Sequence, residues 1–228
     1  MPSNNKPFQP KDLDPTLAAI EPRSAMELKN LSHNATFSEE THCFRATVYL
    51  NGKRMFSASN RGCGGANDYS PLNHGGLDHH LLEKGRKDFE ESMSLAREEA
   101  KRYTLKKIEL GEDLQWAIDA FGNGKSDELI DWLIADLINE QLTLKEMRKT
   151  LKKKVTVYDP KSNDILHLGR DKPTDEILKK YRDHFLLQNF LHSESTDKNA
   201  KDDKNAKDWV WLNTISEAEA YKYWRTAS

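Results

Sequence analysis

Long apolar runs are missing from this sequence. No stretch of about 18 residues is apolar throughout, so no transmembrane helix is expected. Cysteine is scarce, and two in 228 residues do not make a disulfide framework. Met1 to Gln9 lack the charged-then-apolar order of a signal peptide. The expected compartment is therefore the cytoplasm, with reduced thiols. No charge sign dominates. The formal net charge is -2, so no global field draws the chain to nucleic acid or to an anionic membrane. Apolar residues make up 36% and charged residues 32%, with a mean hydropathy of -0.84. That balance predicts a modest core, exposed helices and some disordered stretches.

What the chain does contain is ordered in recognisable segments. Residues 1–24 carry five of its eight prolines and read as a disordered arm. Met26 to Asn34 is a first strand candidate. Phe44, Ala46, Val48 and Leu50 alternate with Arg45, Thr47 and Tyr49, which predicts a half-buried strand. Asn51-Gly52 then signals a hairpin, with a second strand from Lys53 to about Asn60. A two-residue loop would pair Val48 with Met55 and put Phe56 on the wrong face. A three-residue loop, with Gly52 left-handed, gathers Phe44, Ala46, Val48, Phe56 and Ala58 on one face and is the favoured expectation.

Helices follow. Leu82, Phe89, Met93, Ala96, Ala100 and Tyr103 form one stripe, with Asp78 as N-cap. Further helices are expected over about 112–121, 127–140 and 143–154, the last opened by a Thr143–Glu146 capping box. A hairpin of Val155–Tyr158 and Ile165–Leu168 precedes a helix from about Thr174 to His192. Residues 197–202 and 203–208 both read DKNAKD, a linker signature. A second capping box, Ser216–Glu219, lies in an aromatic tail that either docks on the body or binds something else. The expected fold class is α+β, a small and mostly antiparallel sheet packed against several helices. The domain spans 25–192, followed by a linker over 193–208 and the tail over 209–228.

Chemistry is concentrated in GCGGANDYSPLNHGGLDHH, residues 62–80, with five of 11 glycines and three of eight histidines. Glycine lets a backbone approach a partner closely. Asn60, Arg61, Gly64, Gly65, Asn67, Asp68, Tyr69, Asn73 and His74 are therefore the candidate binding residues, with Tyr69 as aromatic anchor. The competing reading is a plain surface connection. His74, Asp78, His79, His80 and Cys63 are the right types for zinc, but their spacing matches no metal motif, and neither metal nor cofactor is expected. Cys63 or Cys43 could act as a nucleophile with His42 or His74 as base and Glu39, Glu40 or Asp68 as orienter, if they meet in space. No catalytic residue is assigned. Gly122 to Ser126 looks like the end of a phosphate loop, yet Ser126 is better explained as a helix cap. A secondary binding set is the basic run Lys145, Arg148, Lys149 and Lys152, with Trp209 and Trp211. From Lys145 to Lys154 there are six bases and one acid.

Ser38-Glu39-Glu40-Thr41-His42-Cys43-Phe44, then Tyr49-Leu50-Asn51-Gly52-Lys53, then Asn60-Arg61-Gly62-Cys63-Gly64-Gly65, together resemble a module found in uncharacterised proteins of bacteriophages and mobile elements. The resemblance implies phage origin and brings no site residue. The expected function is a non-enzymatic binding protein, phage-encoded and acting in the host cytoplasm to inhibit or modulate a host system through a host protein. One alternative is an enzyme or small-ligand or nucleotide-binding domain using the 60–80 loop. Another is a nucleic-acid-associated protein using the basic 145–154 helix. No membrane partner is expected.

Overall fold

The computed structural model describes residues 22–72, 79–114, 116, 117, 119, 126–169, 171–194 and 208–227. The expected N-terminal arm to residue 21, Asp78 as cap, and the duplicated hexapeptide apart from Asp208 lie outside them. The chain forms two compact units, whose boundary among the described residues falls between Glu140 and Gln141. The fold class is α+β, with two small antiparallel sheets.

In the first unit, β1 (Met26–His33), β2 (Cys43–Leu50), β3 (Lys53–Arg61) and β4 (Asp68–Pro71) form one sheet in chain order. The period of two in β2 sends Phe44, Ala46, Val48 and Leu50 into the core, where Met26, Leu28, Phe56 and Ala58 join them. Helix α1 (His79–Glu109) lies against β3 and β4 and buries Met93, Ala96, Ala100 and Tyr103. Helix α2 (Ser126–Leu151) adds Leu129, Ile130, Leu133, Ile134 and Ile138. Polar anchors finish the packing. The buried Glu99 carboxylate accepts from Ser24 Oγ at 2.9 Å, Ala25 N at 2.6 Å and Arg102 Nε at 2.7 Å. Buried Lys107 meets Glu112 at 3.0 Å and Asp136 at 3.3 Å, which supplies the pairing that a buried charge requires.

Two expectations are corrected here. The β2–β3 loop has two residues, not three. Asn51 and Gly52 both have positive φ, 49° and 74°, as a type I′ turn demands. Tyr49 pairs with Arg54, but Val48 pairs with Phe56, so Met55 is an extra residue in β3. This bulge produces the one-residue shift that the loop was expected to supply. The facial grouping of Phe44, Ala46, Val48, Phe56 and Ala58 is as expected, and Met55 is buried as well. The second correction concerns α2, which runs without a break where two helices were expected. Thr143 and Glu146 do not cap a new helix, because Leu144 and Met147 continue the apolar stripe through them.

In the second unit, β5 (Val155–Asp159) lies between β6 (Asp164–Leu168) and β7 (Val210–Trp211). Helix α3 spans Asp175–Glu194 and α4 spans Glu217–Ala227. Leu144, Met147, Tyr158, Leu212, Ala220, Tyr221 and Trp224 form the core. The aromatic tail is thus built into this unit. The Ser216–Glu219 box forms as expected: Glu219 N donates to Ser216 Oγ at 3.3 Å, and Ser216 N donates to Glu219 Oε2 at 3.1 Å. Asn213 ties the unit together. Its Oδ1 accepts from Thr156 N at 2.7 Å, while Nδ2 donates to Leu151 O at 2.8 Å and Lys154 O at 3.1 Å. One amide therefore satisfies a strand N–H and carbonyls at the end of α2.

The type I′ turn generates a direct test. A β-branched side chain is strained at positive φ, so Gly52→Val is expected to cost more than about 1 kcal/mol in urea unfolding. An unchanged melting temperature would remove the turn assignment.

Candidate functional site

The glycine-rich stretch is not one long loop. Residues 62–67 make a tight connection from β3 to β4, and the second strand holds Tyr69. Gly62 decides the local structure. Its φ is +89°, and a Cβ there would overlap the Phe37 carbonyl oxygen and stand 2.9 Å from Cys43 Cβ. The Gly62 carbonyl accepts from three successive amides, Glu39 N and Glu40 N at 3.0 Å and Thr41 N at 3.4 Å. This clasp folds the 38–41 turn onto the end of β3.

Asn60 completes the clasp. Buried in the sheet, its Oδ1 accepts from Gly62 N at 2.8 Å and Thr41 Oγ1 at 2.9 Å. Its Nδ2 donates to Gly65 O at 3.2 Å and Asn67 Oδ1 at 3.1 Å. Every hydrogen-bonding group of this amide is used. The segments 38–44 and 60–65 are therefore brought together in space, although 15 residues separate them in the chain.

Helix α2 closes the other side. Tyr69 donates its hydroxyl to Asp131 in a short hydrogen bond, and Asn67 N donates to the same Asp131 oxygen at 3.3 Å. The Tyr69 ring packs edge-on against Phe56, with centroids 5.5 Å apart. Burial, then the hydrogen bond to Asp131, pushes the Tyr69 pKa upward, so the phenol stays protonated. Burial also raises the Asp131 carboxyl, against the hydrogen bonds from Tyr69 and Asn67.

A cleft of about 430 Å³ lies between these parts. Its lining includes the carboxylates of Glu39, Glu40 and the half-buried Asp131, and the apolar residues Phe44, Ala135 and Ile138. No lysine or arginine lines it. Glu39 and Glu40 are exposed, and the space beside Gly64 is filled by the Glu40 side chain. His42 lines the cleft too. Its Nδ1 shares a hydrogen bond of 3.2 Å with His33 Nε2. Burial, and next the charge of His33, lower the His42 pKa from its ordinary 6.5, against a hydrogen bond to the Asn139 side chain.

Of the candidates named from sequence, Asn60, Gly65 and Asn67 line the cleft and Tyr69 braces it. Arg61 and Asp68 are exposed, and Gly64 is half-buried beneath Glu40. Asn73 and His74 lie outside the described residues. The secondary set divides. Lys145, Lys149 and Lys152 are exposed, Arg148 is ion-paired to Glu217, Trp209 is half-buried, and Trp211 lies under Arg182 at 5.6 Å. Cys43 and Cys63 are both free thiols; Cys63 Sγ faces Arg61 O at 3.9 Å. Among the described residues no group of three or more His, Cys, Asp or Glu is placed to hold a metal ion. Sequence reasoning missed Asp131 altogether, because no local pattern connects it to Asn67 across 64 residues. Comparison with protein-family models, curated proteins and solved structures gave no match.

Two outcomes follow from this geometry. Gly62→Ala combines positive φ with a backbone overlap and is expected to lose more than about 2 kcal/mol in chemical denaturation. A loss near zero would mean that the clasp does not hold the turn. Separately, the unfolded chain protonates His42 more readily than the folded one. Its contribution to stability is complete above the ordinary pKa of 6.5 and is lost as pH falls through the lower folded value. Melting temperature is expected to drop between pH 7 and pH 5 and to drop less in His42→Asn; identical profiles would refute the assignment.

Proposed function

We propose that this chain is a non-enzymatic binding protein whose first unit receives a cationic side chain of a partner protein. The observation that carries the reading is the composition of the 430 Å³ cleft: the exposed carboxylates of Glu39 and Glu40, an apolar wall and no lysine or arginine in its lining. Among the described residues neither Glu39 nor Glu40 has an ion-pair partner. An arginine or lysine fits both features. Its methylene stem covers the Phe44–Ala135–Ile138 wall while its head meets the carboxylates. The site is also preorganised, since the Gly62 carbonyl and the Asn60 amide hold the 38–41 turn before any partner arrives. A rigid turn spends less entropy on binding.

The wider reading is that of a phage-encoded factor acting on a host protein as an inhibitor or modulator. Its support is the resemblance of the 38–65 segments to a module of phage and mobile-element proteins. Those segments supply Ser38 to His42, Phe44, Asn60 and Gly65 of the cleft lining, and Asn67 and helix α2 supply the rest. No helix among the described residues is long and apolar enough to cross a membrane.

The test separates the carboxylates from the frame. Glu39→Gln/Glu40→Gln keeps shape and removes two charges. Binding of an arginine-containing peptide library, read by fluorescence anisotropy against the same library with citrulline, is expected to weaken at least tenfold in the variant, with melting temperature within a few degrees of the parent. Equal binding of the arginine and citrulline libraries, or equal binding by parent and variant, would refute the reading.

A further inference from the structure

The basic run of α2 lies wholly in the second unit and is not used by the cleft. Lys145, Lys149 and Lys152 recur at i, i+4 and i+7, one stripe on the exposed side of the helix. Lys153 and Lys154 extend it past the helix end and are also exposed. None of the five has an ion pair among the described residues. Arg148 is different, since its guanidinium is engaged by Glu217. Glu146 is the one acid within the run.

The opposite side of the same helix is already occupied. Leu144 and Met147 are buried in the core with Tyr158, Leu212, Tyr221 and Trp224, and Leu151 packs against it. This segment therefore has no apolar face to insert into a bilayer, which is how basic amphipathic helices usually hold membranes. It offers charge alone. The backbone at the end of the run is also anchored. Asn213 Nδ2 holds Leu151 O at 2.8 Å and Lys154 O at 3.1 Å, so the segment carrying Lys152, Lys153 and Lys154 is pinned to the unit.

We propose that this lysine face binds the phosphodiester backbone of a nucleic-acid duplex, without reading its sequence. Lysine heads are compact point charges that suit phosphates. At about 1.5 Å per residue, the stripe from Lys145 to Lys152 is about 10 Å long. That spans about three phosphates of one strand at about 3.4 Å of axial rise each. Single strands are the poorer fit, because they are held by stacking on aromatic rings. The run itself has no aromatic residue, and Trp211 is covered by Arg182.

The experiment uses the full chain with a fluorescent DNA duplex, an RNA duplex and a single strand, read by anisotropy between 50 and 200 mM salt. The expected result is saturable duplex binding that weakens with a log–log salt slope of about -2 to -3, as release of ions from about three phosphates requires. Lys145→Gln/Lys149→Gln/Lys152→Gln is expected to lose at least tenfold in affinity at 50 mM salt and to flatten that slope, with an unchanged melting temperature. If that triple variant does not fold, Lys153→Gln/Lys154→Gln carries the same test. Glu39→Gln/Glu40→Gln is expected to bind the duplex as the parent does. DNA and RNA duplex binding both support the proposal and show which duplex is preferred. No duplex binding at 50 mM salt overturns it, as does binding unaffected in a folded lysine variant. Tighter binding of the single strand, or equal competition by polyglutamate or phosphatidylserine vesicles, also overturns it.

Discussion

The Gly62 carbonyl gathers three amide donors from a turn that the sequence places some twenty positions earlier. A backbone can come this close only where no side chain intervenes, and the Phe37 carbonyl fills the place of the missing Cβ. Without the Gly62 carbonyl, three successive N–H groups of the 38–41 turn would lose their shared acceptor. With the clasp closed, Asn60 bonds to both of its sides, and Glu39 and Glu40 are left exposed in the lining of a cleft. The acidic character of the first unit is thus organised by an uncharged group.

Near-neutral net charge conceals this arrangement. The cleft of the first unit is lined by carboxylates with no lysine or arginine, whereas the end of α2 in the second unit carries exposed lysines. Both patches sit on well-anchored backbone, one through Asn60 and Gly62, the other through Asn213. Asparagine serves both units for the same reason. One short side chain can donate and accept at once and so connects strands, turns and helix ends that cannot pair directly.

How much of this was readable varied with the range of the interaction. The alternation in β2 and the Ser216–Glu219 box are local, and both appear as the sequence indicates. The hairpin face was legible from Phe44, Val48 and Phe56, but the device that sets it was not. A bulge at Met55 and a three-residue turn give the same facial pattern, and only pairing distinguishes them. The Thr143–Glu146 pair shows the converse. A local cap signature is overridden when Leu144 within it and Met147 just after it have a core to enter. The cleft was half legible: Asn60, Gly65 and Asn67 were marked by the glycine-rich context, while Asp131 came from a helix whose own pattern indicated only packing.

The second unit has a consequence for the order in which the molecule matures. Its core joins Leu144 and Met147 to Leu212, Tyr221 and Trp224, so β5 and β6 lack their inner partners until the chain has been made at least to Trp224. The described part of the first unit ends at Glu140. During synthesis from the N-terminus at about 5–20 residues per second, the first unit is complete for several seconds while the second still exposes Tyr158 and Met147. In that interval the nascent chain has a finished acidic cleft and an unfinished basic unit.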